Sequence, residues 1–372
     1  MSHLDLGRLL EDSIITNDTY EWLKPLHEQE EADLEEIRLA AEARKNDPFA
    51  QCRTLDDDED DDDILTTTTK TLRNIEGTDT IVTFVTDTNS TGHGNKVWHS
   101  SIATCRYLLN TLSLFSMTKD DDSCRSLELG AGTAVPSLFL AAMQKQNHAQ
   151  PKSSSPATIC ISDAKQYRNI HQILLSVGMQ TTNSNSDNNT AVRFKVHPHN
   201  WGEFDKTIPG RKAADNAKSN RNGYDLVIVS DCIYNPEYHE ALLESLAHTL
   251  NLGGRAVVSF SLHGNVDDEL IWDFVEQQIP ATAYPCCGQD NYDGNDKDDQ
   301  GCWRLEARCV STSNTAATGD NNNDNSQTFV HREGWNMEDT MKKLGLVTEG
   351  LAEERWFSYV YEITWVSDEE IE

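Results

Sequence analysis

The sequence has little positive charge. It contains 31 Lys and Arg residues against 62 Asp and Glu residues, so its formal net charge at pH 7 is −31. A surface of this sign repels a phosphate backbone and favours basic partners. We therefore expect no nucleic acid among its ligands, and we expect a protein that it binds to be basic.

Long apolar runs and paired cysteines are also missing. No stretch approaches the roughly 18 apolar residues of a membrane-spanning helix, and the first residues lack the basic and apolar segments of a signal peptide. The nine cysteines include no Cys-x-x-Cys pair, which indicates reduced thiols and predicts neither a metal site nor a disulfide scaffold. The sequence thus predicts a monomer in the cytoplasm, with the nucleus as the alternative, and no membrane partner.

The first 75 residues differ in composition from the rest. They contain one helical pattern, Leu23–Ala43, and an acidic run, Asp56–Asp63, which repels itself and is typical of a solvated spacer. A docking tail for a basic protein is the alternative for that run. We expect a largely disordered extension over 1–75 that packs weakly or not at all. A folded domain is expected over 76–372, with a polar insertion at about 280–327 that forms loops.

Strand and helix patterns alternate through the second region. Apolar runs of strand length occur at 81–85, 125–129, 157–162, 191–196, 224–230, 255–260 and 356–365. Helical patterns occur between several of them, at 97–114, 137–146, 166–177 and 238–250, and the glycines of Asn251–Gly254 suit the end of the last helix. The alternation predicts an α/β fold with a mostly parallel sheet, helices on both faces and a late antiparallel strand.

A glycine turn follows the strand at 125–129. Gly130-Ala131-Gly132 allows a ligand to approach backbone N–H groups at the positive end of the next helix. The turn is not a nucleotide-triphosphate loop because no Gly-Lys-Ser/Thr follows, and the third glycine of a dinucleotide fingerprint is absent. That absence disfavours a dehydrogenase. A turn with a purely structural role is the alternative to a ligand-binding turn. The residues that follow the neighbouring strands distinguish the two.

Carboxylates follow two of those strands. Asp163 ends the strand at 157–162, where it can accept both ribose hydroxyls of a nucleoside, although a helix N-cap is the alternative. Ser230–Tyr234 ends the strand at 224–230. Because ligands of such sheets bind at the carboxyl ends of the strands, both segments should line one crevice. The pattern predicts an adenosine-containing ligand.

Four segments in this order carry a family resemblance: Val97–Leu109, Leu127–Ser137, Asn200–Gly202 and Ser230–Tyr234, the last with an Asp-x-x-Tyr motif. The chain resembles the class I, seven-strand, Rossmann-like S-adenosylmethionine-dependent methyltransferases. Within them it is similar to the branch that modifies protein amines, which includes lysine methyltransferases and nicotinamide N-methyltransferase-like enzymes that act on elongation factor. The resemblance implies S-adenosylmethionine as the cofactor.

The resemblance also implies roles for the residues of the glycine turn. Backbone at Gly130, Ala131 and Gly132 would hold the methionine part of the cofactor, with Glu128 nearby, and Asp163 would bind the ribose. The strand at 157–162 departs from the family pattern after Asp163, which leaves the adenine-side contacts of that loop undefined.

Further roles follow from the other segments. Trp98 would lie beside the sulfonium and Trp201 against the adenine, since an aromatic face attracts a cation and stacks on a base. Ordinary core packing is the alternative for each tryptophan. Ser230 would line the floor of the cofactor site, while Asp231 and Tyr234 would face the incoming amine as the catalytic pair. A helix cap is the alternative for Asp231.

We therefore predict an S-adenosylmethionine-dependent N-methyltransferase that acts on a protein amine, either lysine or an N-terminus, of a basic protein such as a translation factor. A small-molecule N-methyltransferase of the same fold and an inactive interaction module are the alternatives. An open acidic groove beside Asp231 would favour the protein substrate, and an enclosed aromatic cage would favour the small amine.

Overall fold

The computed structural model describes residues 4–46, 67–87, 94, 96–115, 124–147, 157–182, 192–204, 223–262, 266–282, 303–310, 334–346 and 357–367. The acidic run at 56–63 and the polar stretch at 206–222 lie outside these residues, as does most of the insertion at 280–327. In the described part, no helix combines the length and the apolar character needed to cross a bilayer.

The described elements follow the predicted alternation. The strands are β1 (Thr67–Arg73), β2 (Ile81–Asp87), β3 (Arg125–Leu129), β4 (Ala157–Asp163), β5 (Val192–Pro198), β6 (Tyr224–Ser230), β7 (Leu250–Ser261), β8 (Trp303–Cys309), β9 (Trp335–Asn336) and β10 (Phe357–Ser367). The helices are α1 (Leu6–Glu11), α2 (Asn17–Asn46), α3 (His99–Phe115), α4 (Val135–Asn147), α5 (Tyr167–Thr182), α6 (His239–Thr249), α7 (Asp268–Asp273), α8 (Ile279–Ala281) and α9 (Glu338–Lys343).

The main sheet has the order β5-β4-β3-β6-β7-β10-β8, with β9 paired to β10. The first five of these strands are mutually parallel, and β10 runs antiparallel to both of its neighbours on this path. This confirms the predicted mostly parallel sheet with a late antiparallel strand. Strand order reverses between β3 and β6, and ligands of open α/β sheets bind beside the carboxyl ends at such a reversal.

Both faces of the sheet are covered. Along β6, Leu226 and Ile228 belong to one core cluster, whereas Val227 and Val229 belong to the other. Successive side chains of a strand point to opposite faces, so the two clusters are the two sides of the sheet. Apolar residues of α3, α4 and α5 lie in the first cluster, and those of α6 and α7 lie in the second. The predicted helices on both faces are confirmed.

The expectation that the first 75 residues pack weakly or not at all is corrected over their described part. Residues 4–46 form two helices, and Leu6, Leu9 and Leu23 are buried in the same cluster as α4 and α5. The amide of Val196 in β5 also donates to the carbonyl of Ile14 at 2.8 Å. Most of these apolar residues precede the predicted helix, so its Glu-rich pattern did not reveal them. In addition, β1 pairs antiparallel with β2.

Two further expectations are corrected. The insertion at 280–327 was predicted to form loops, but its residues 303–309 are β8, which pairs with β10 and buries Leu305. Asn251–Gly254 was expected to end a helix. Instead β7 begins at Leu250, directly after α6, and its pairing with β6 shifts register there. Gly253, at φ 78°, lies in that irregular stretch and supplies a backbone conformation that other residues rarely adopt.

Candidate active site

The register of the sheet brings the predicted site segments together. Leu129, the last residue of β3, lies between Ser162 of β4 and Val229 of β6, and Ser230 pairs with Ser259 of β7. The residues that follow these positions therefore leave the sheet at one edge. Gly130, Asp163 and Asp231 are consequently neighbours across the point where the strand order reverses.

The glycine turn is closely packed. Gly130 has φ 65° and Gly132 has φ 51°, a region that favours glycine. A Cβ atom on Gly130 would lie 2.7 Å from Cζ2 of Trp201 and 2.8 Å from Sγ of Cys232. At Gly132 it would lie 3.1 Å from the carbonyl oxygen of Gly94. Both glycines are thus required by conformation and by space.

Asp163 ties this turn to the next strand. Its Oδ2 accepts the Gly132 N–H at 2.6 Å, and its Oδ1 accepts the Ala164 N–H at 2.8 Å and the Asn169 amide at 2.7 Å. The carboxyl group is buried, which raises its pKa, while these hydrogen bonds act in the opposite direction. Since α5 begins only at Tyr167, the geometry differs from that of a helix N-cap.

Glu128 lies under the turn. It is buried within β3, and its Oε2 accepts the backbone N–H of Ser137 in the first turn of α4 at 3.0 Å. Burial raises the pKa of Glu128 to about 8, although the bond from Ser137 opposes this shift. At pH 7 the carboxyl is therefore largely protonated, and it holds the start of α4 against the end of β3.

A second turn carries Trp201 to the same edge. The His199 N–H donates to the carbonyl of Asp163 at 2.7 Å, and the Lys165 N–H donates to Oδ1 of Asn200 at 3.0 Å. Gly202 has φ 76°, and its N–H donates to Oγ of Ser245 in α6 at 2.9 Å. These bonds fix the half-buried indole of Trp201 against Gly130. Trp201 therefore contacts the glycine turn, as a cofactor-contacting aromatic residue must.

The first turn of α3 packs on the carboxyl ends of β6 and β7. Ser230 Oγ lies 3.3 Å from Ser101 Oγ, and Ser259 Oγ donates to the carbonyl of Ser100 at 3.2 Å. Trp98 is half-buried and immediately precedes α3, so it is placed near the same edge. Ser230 therefore contacts the first turn of α3 at this edge of the sheet.

Asp231 has an unusual backbone. Its φ is 58°, in the left-handed region that few non-glycine residues adopt but Asp and Asn tolerate best. The side chain is buried, and its Oδ1 accepts the Ser261 N–H at 3.2 Å. The cap of the following helical turn is Asn235, whose side chain accepts the Glu237 N–H at 3.1 Å. A helix-capping role is therefore taken by Asn235 and not by Asp231.

Tyr234 and Cys232 complete this segment. Burial raises the pKa of the Tyr234 hydroxyl, and neighbouring groups that include Cys232, Asp163 and Asp231 add to the shift. Burial also raises the pKa of the Cys232 thiol well above its usual value, so the group remains protonated. Its Sγ donates weakly to the carbonyls of Leu129 and Gly130, at 3.3 and 3.5 Å.

Sequence reasoning missed three residues of this site: Gly94, Asn169 and Cys232. Gly94 approaches Gly132, Asn169 orients Asp163, and Cys232 packs beneath Gly130. The second glycine of Thr91-Gly-His-Gly94 was an available signal for a close backbone approach. Asn169 gives no such signal, because its contact with Asp163 exists only once α5 has folded onto the end of β4.

The sequence model of the lysine methyltransferase family matches residues 78–273, more than half of the chain. The chain belongs to the lysine methyltransferase family. A relative from Candida albicans, "Protein N-terminal and lysine N-methyltransferase EFM7", is 27% identical over 173 residues, which cover 46% of this chain and 58% of that protein. The match therefore spans less than two thirds of the relative. The predicted family, and with it the methyltransferase class, is confirmed.

The chain is also similar to solved structures of other proteins. A "SAM dependent methyltransferase" from Archaeoglobus fulgidus is 13% identical, covers 71% of this chain and 94% of its own, and has a TM-score of 0.30. A "TehB-like SAM-dependent methyltransferase" from Corynebacterium glutamicum is 12% identical, covers 73% and 89%, and has a TM-score of 0.31. The fold of this chain is defined by its own strand order.

The site of this family member fits S-adenosylmethionine. Two glycines keep side chains out of the turn, the buried carboxyl group of Asp163 accepts the Gly132 N–H, and buried Asp231 follows the neighbouring strand β6. An aromatic ring and carboxylates beside a glycine turn are groups that recognise a base, a ribose and a cationic amino acid.

Proposed function

We propose that this chain is an S-adenosylmethionine-dependent N-methyltransferase whose substrate is an amine of a basic protein, a lysine side chain or an N-terminus, as in a translation factor. The observation that carries the proposal is the meeting of the glycine turn, Asp163 and Asp231 at the reversal of strand order, in a member of the lysine methyltransferase family. The name of the Candida albicans relative includes both kinds of amine.

The residues on the β3 and β4 side hold the cofactor. Gly130, Ala131 and Gly132 bring backbone next to its methionine part, with Glu128 below. Asp163 already accepts three hydrogen bonds, two on Oδ1 and one on Oδ2, so its fourth acceptor position, on Oδ2, accepts a ribose hydroxyl.

Aromatic residues and a serine complete the cofactor side. Trp201, fixed against Gly130, stacks on the adenine, and Trp98 faces the sulfonium. Ser230 forms the floor of the site.

The residues after β6 face the substrate. S-adenosylmethionine supplies an electrophilic methyl group when it is bound. The incoming nitrogen attacks with its lone pair and must therefore be neutral, and positioning provides much of the rate enhancement. Asp231 orients the amine N–H groups and holds its positive charge before deprotonation, while the half-buried Tyr234 excludes water. Desolvation beside the Tyr234 ring lowers the pKa of the amine, whereas the Asp231 carboxylate acts in the opposite direction; the proton leaves to solvent before transfer.

Charge supports a protein substrate. The chain has a net charge of −31, and exposed Glu237 and Glu240 follow the Asp231–Tyr234 segment, together with the exposed ring of Tyr238. A basic peptide next to the target amine is attracted to such a surface. We also propose that the protein is a cytoplasmic monomer, with the nucleus as the alternative compartment. The free cysteines in the described part suit either place.

Calorimetry with S-adenosylmethionine tests the cofactor. Wild type should bind it, and NAD, the control ligand, should not bind. Asp163→Ala should abolish binding. Asp225→Ala is the matched control, because Asp225 also accepts a backbone N–H, from Arg125 at 2.9 Å, but lies at the opposite ends of the strands. Absence of binding to folded wild-type protein would refute both enzyme hypotheses and leave an interaction module.

Transfer of a radiolabelled methyl group tests the substrate class. Basic proteins, including translation factors, and small amines are offered to wild type and to Asp231→Asn, which retains the size of the side chain. Label in a protein, lost in the variant, supports the proposal. Label only in small amines would establish the alternative, a small-molecule N-methyltransferase.

A further inference from the structure

A cluster of histidine, glutamate and tyrosine side chains joins α2 to α5, away from the segments assigned to methyl transfer. His27 and Glu30 are three residues apart on α2 and so share one face of the helix. His171 and Tyr167 are four residues apart on α5, and their rings are stacked with centroids 5.3 Å apart. The His27 and His171 ring centroids lie 6.3 Å apart.

The polar atoms of this cluster face one another. One ligand atom from each of His27, Glu30 and His171 lies within 4.8 Å of the other two. The Tyr167 hydroxyl lies between α2 residues, 2.9 Å from Nδ1 of His27 and 2.5 Å from Oε2 of Glu30. A second carboxylate, Glu31, has Oε1 3.6 Å from Nε2 of His27.

The hydrogen bonds of the cluster do not account for the buried side chain of His171. It is only 8% exposed, and its Nδ1 is buried without a hydrogen-bond partner among the described residues. Leaving a buried polar atom unpaired costs about 1–3 kcal/mol. A metal ion between the helices would be coordinated by that imidazole.

We infer that His27, Glu30 and His171 form a binding site for a divalent transition metal of the zinc type, which fastens the N-terminal helix α2 to α5. Two imidazoles and a carboxylate are a donor set that Zn²⁺ accepts, with a water molecule as fourth ligand. Softer sites need cysteine, and harder cations such as Mg²⁺ and Ca²⁺ prefer oxygen alone.

The distances between these ligand atoms permit zinc coordination after small side-chain movements. Ligands held at about 2.0–2.1 Å from a tetrahedral zinc ion are about 3.3 Å apart, so atoms now within 4.8 Å of one another close by rotation of their side chains. Glu30 keeps one oxygen on the Tyr167 hydroxyl and uses the other for the ion. The tyrosine then acts as an outer partner that orients its neighbours, as hydrogen-bonded groups around metal ligands do.

The cysteine pattern gives no signal of this site, since the sequence contains no Cys-x-x-Cys pair. The ligands come from segments more than a hundred residues apart, and only the packing of α2 on the catalytic domain brings them together. The inference is independent of methyl transfer.

Metal binding by the full chain tests it. Protein stripped with a chelator is titrated with ZnCl₂ by calorimetry, and the retained metal is counted by mass spectrometry after gel filtration. We expect one zinc ion per chain, lost in Glu30→Gln and in His171→Ala and retained in His248→Ala, a histidine of α6 outside the cluster. Zinc should raise the melting temperature of wild type and of the control but of neither cluster variant.

Two further measurements make the test specific. Tyr167→Phe should weaken zinc binding by about 10–100-fold, the usual effect of removing an outer partner of a ligand. Cobalt-loaded wild type should lack a thiolate charge-transfer band, which excludes binding by cysteine. No stoichiometric zinc in wild type, equal zinc in Glu30→Gln, or a thiolate band would overturn the inference. Because Glu30→Gln preserves an acceptor for Tyr167, it keeps the test valid if His171→Ala fails to fold.

Discussion

Left-handed backbone is concentrated at the strand ends of the site. Gly130, Gly132, Ala134 and Asp231 all have φ between 51° and 65°. Two of these are not glycine, and such conformations cost free energy that the surrounding contacts must offset. They persist because the turns must expose backbone and carboxylates at one edge of the sheet within a few residues.

Gly130→Ala should damage cofactor binding. The new Cβ would lie 2.7 Å from the indole of Trp201, so the ring that stacks on the adenine must move. Gly253→Ala is the matched control, with φ 78° and no atom within 4 Å of its Cβ. Each substitution should lower the free energy of unfolding by about 1–2 kcal/mol through the backbone, but only Gly130→Ala should lose S-adenosylmethionine affinity in calorimetry. Equal affinities would contradict this packing.

Glu128 should make stability fall as the pH rises. Burial raises its pKa from 4.5 to about 8 in the folded chain, so between these values the folded state binds more protons than the unfolded state. The free energy of unfolding then decreases with pH across that window. The urea midpoint of wild type, measured from pH 5 to pH 8, should decline relative to Glu128→Gln. Exposed Glu203→Gln serves as control, and parallel curves for all three proteins would refute the shift.

A site residue could be predicted from the sequence where it directly follows a recognisable strand. Gly130, Asp163 and Asp231 each follow a recognisable strand, so topology alone places them at one edge. Gly94 and Asn169 reach that edge from other parts of the chain. Their positions in the sequence do not show that they contact the site. The sequence motif also said nothing of the left-handed backbone of Asp231.

Among the elements, α2 differs most from expectation. Leu23 is fully buried in the core, whereas Leu34 of the same helix is 42% exposed. Leu23→Ala should therefore lower the free energy of unfolding by about 2–5 kcal/mol, and Leu34→Ala should change it by no more than about 0.5 kcal/mol. Urea denaturation followed by circular dichroism compares the two. Similar small effects would mean that α2 is not part of the folded core in solution.

Strand and helix types were predicted well where the apolar pattern is strong. β4 and β6 are buried on both faces, and their central residues form nearly continuous apolar runs. β8 escaped prediction because it is an edge strand whose sequence, Trp-Arg-Leu-Glu-Ala-Arg-Cys, alternates charged residues with apolar ones inside a polar region. That alternation is itself a signal of a half-buried strand, and the polar residues around it obscured the signal.

At the scale of the whole molecule, the net charge bears on the proposed basic substrate. A net charge of −31 attracts a basic protein over distances set by the Debye length, about 30 Å at 0.01 M salt and about 8 Å at 0.15 M. The KM for a basic protein substrate should therefore rise by roughly tenfold between these conditions. S-adenosylmethionine affinity, measured in parallel, should change little. A KM that does not depend on salt would show that charge does not guide this recognition.

The order of the strands in the sheet has a consequence for synthesis. Among the described strands, β8 hydrogen-bonds to β10 alone, and β10 lies between β8 and β7. On the ribosome β8 therefore emerges well before the strand that pairs with it, while β3 to β7 can already assemble. Such non-local pairing is slow and leaves an unpaired edge. In a nascent chain β8 thus stays without its partner strand until residues 357–367 have been synthesised.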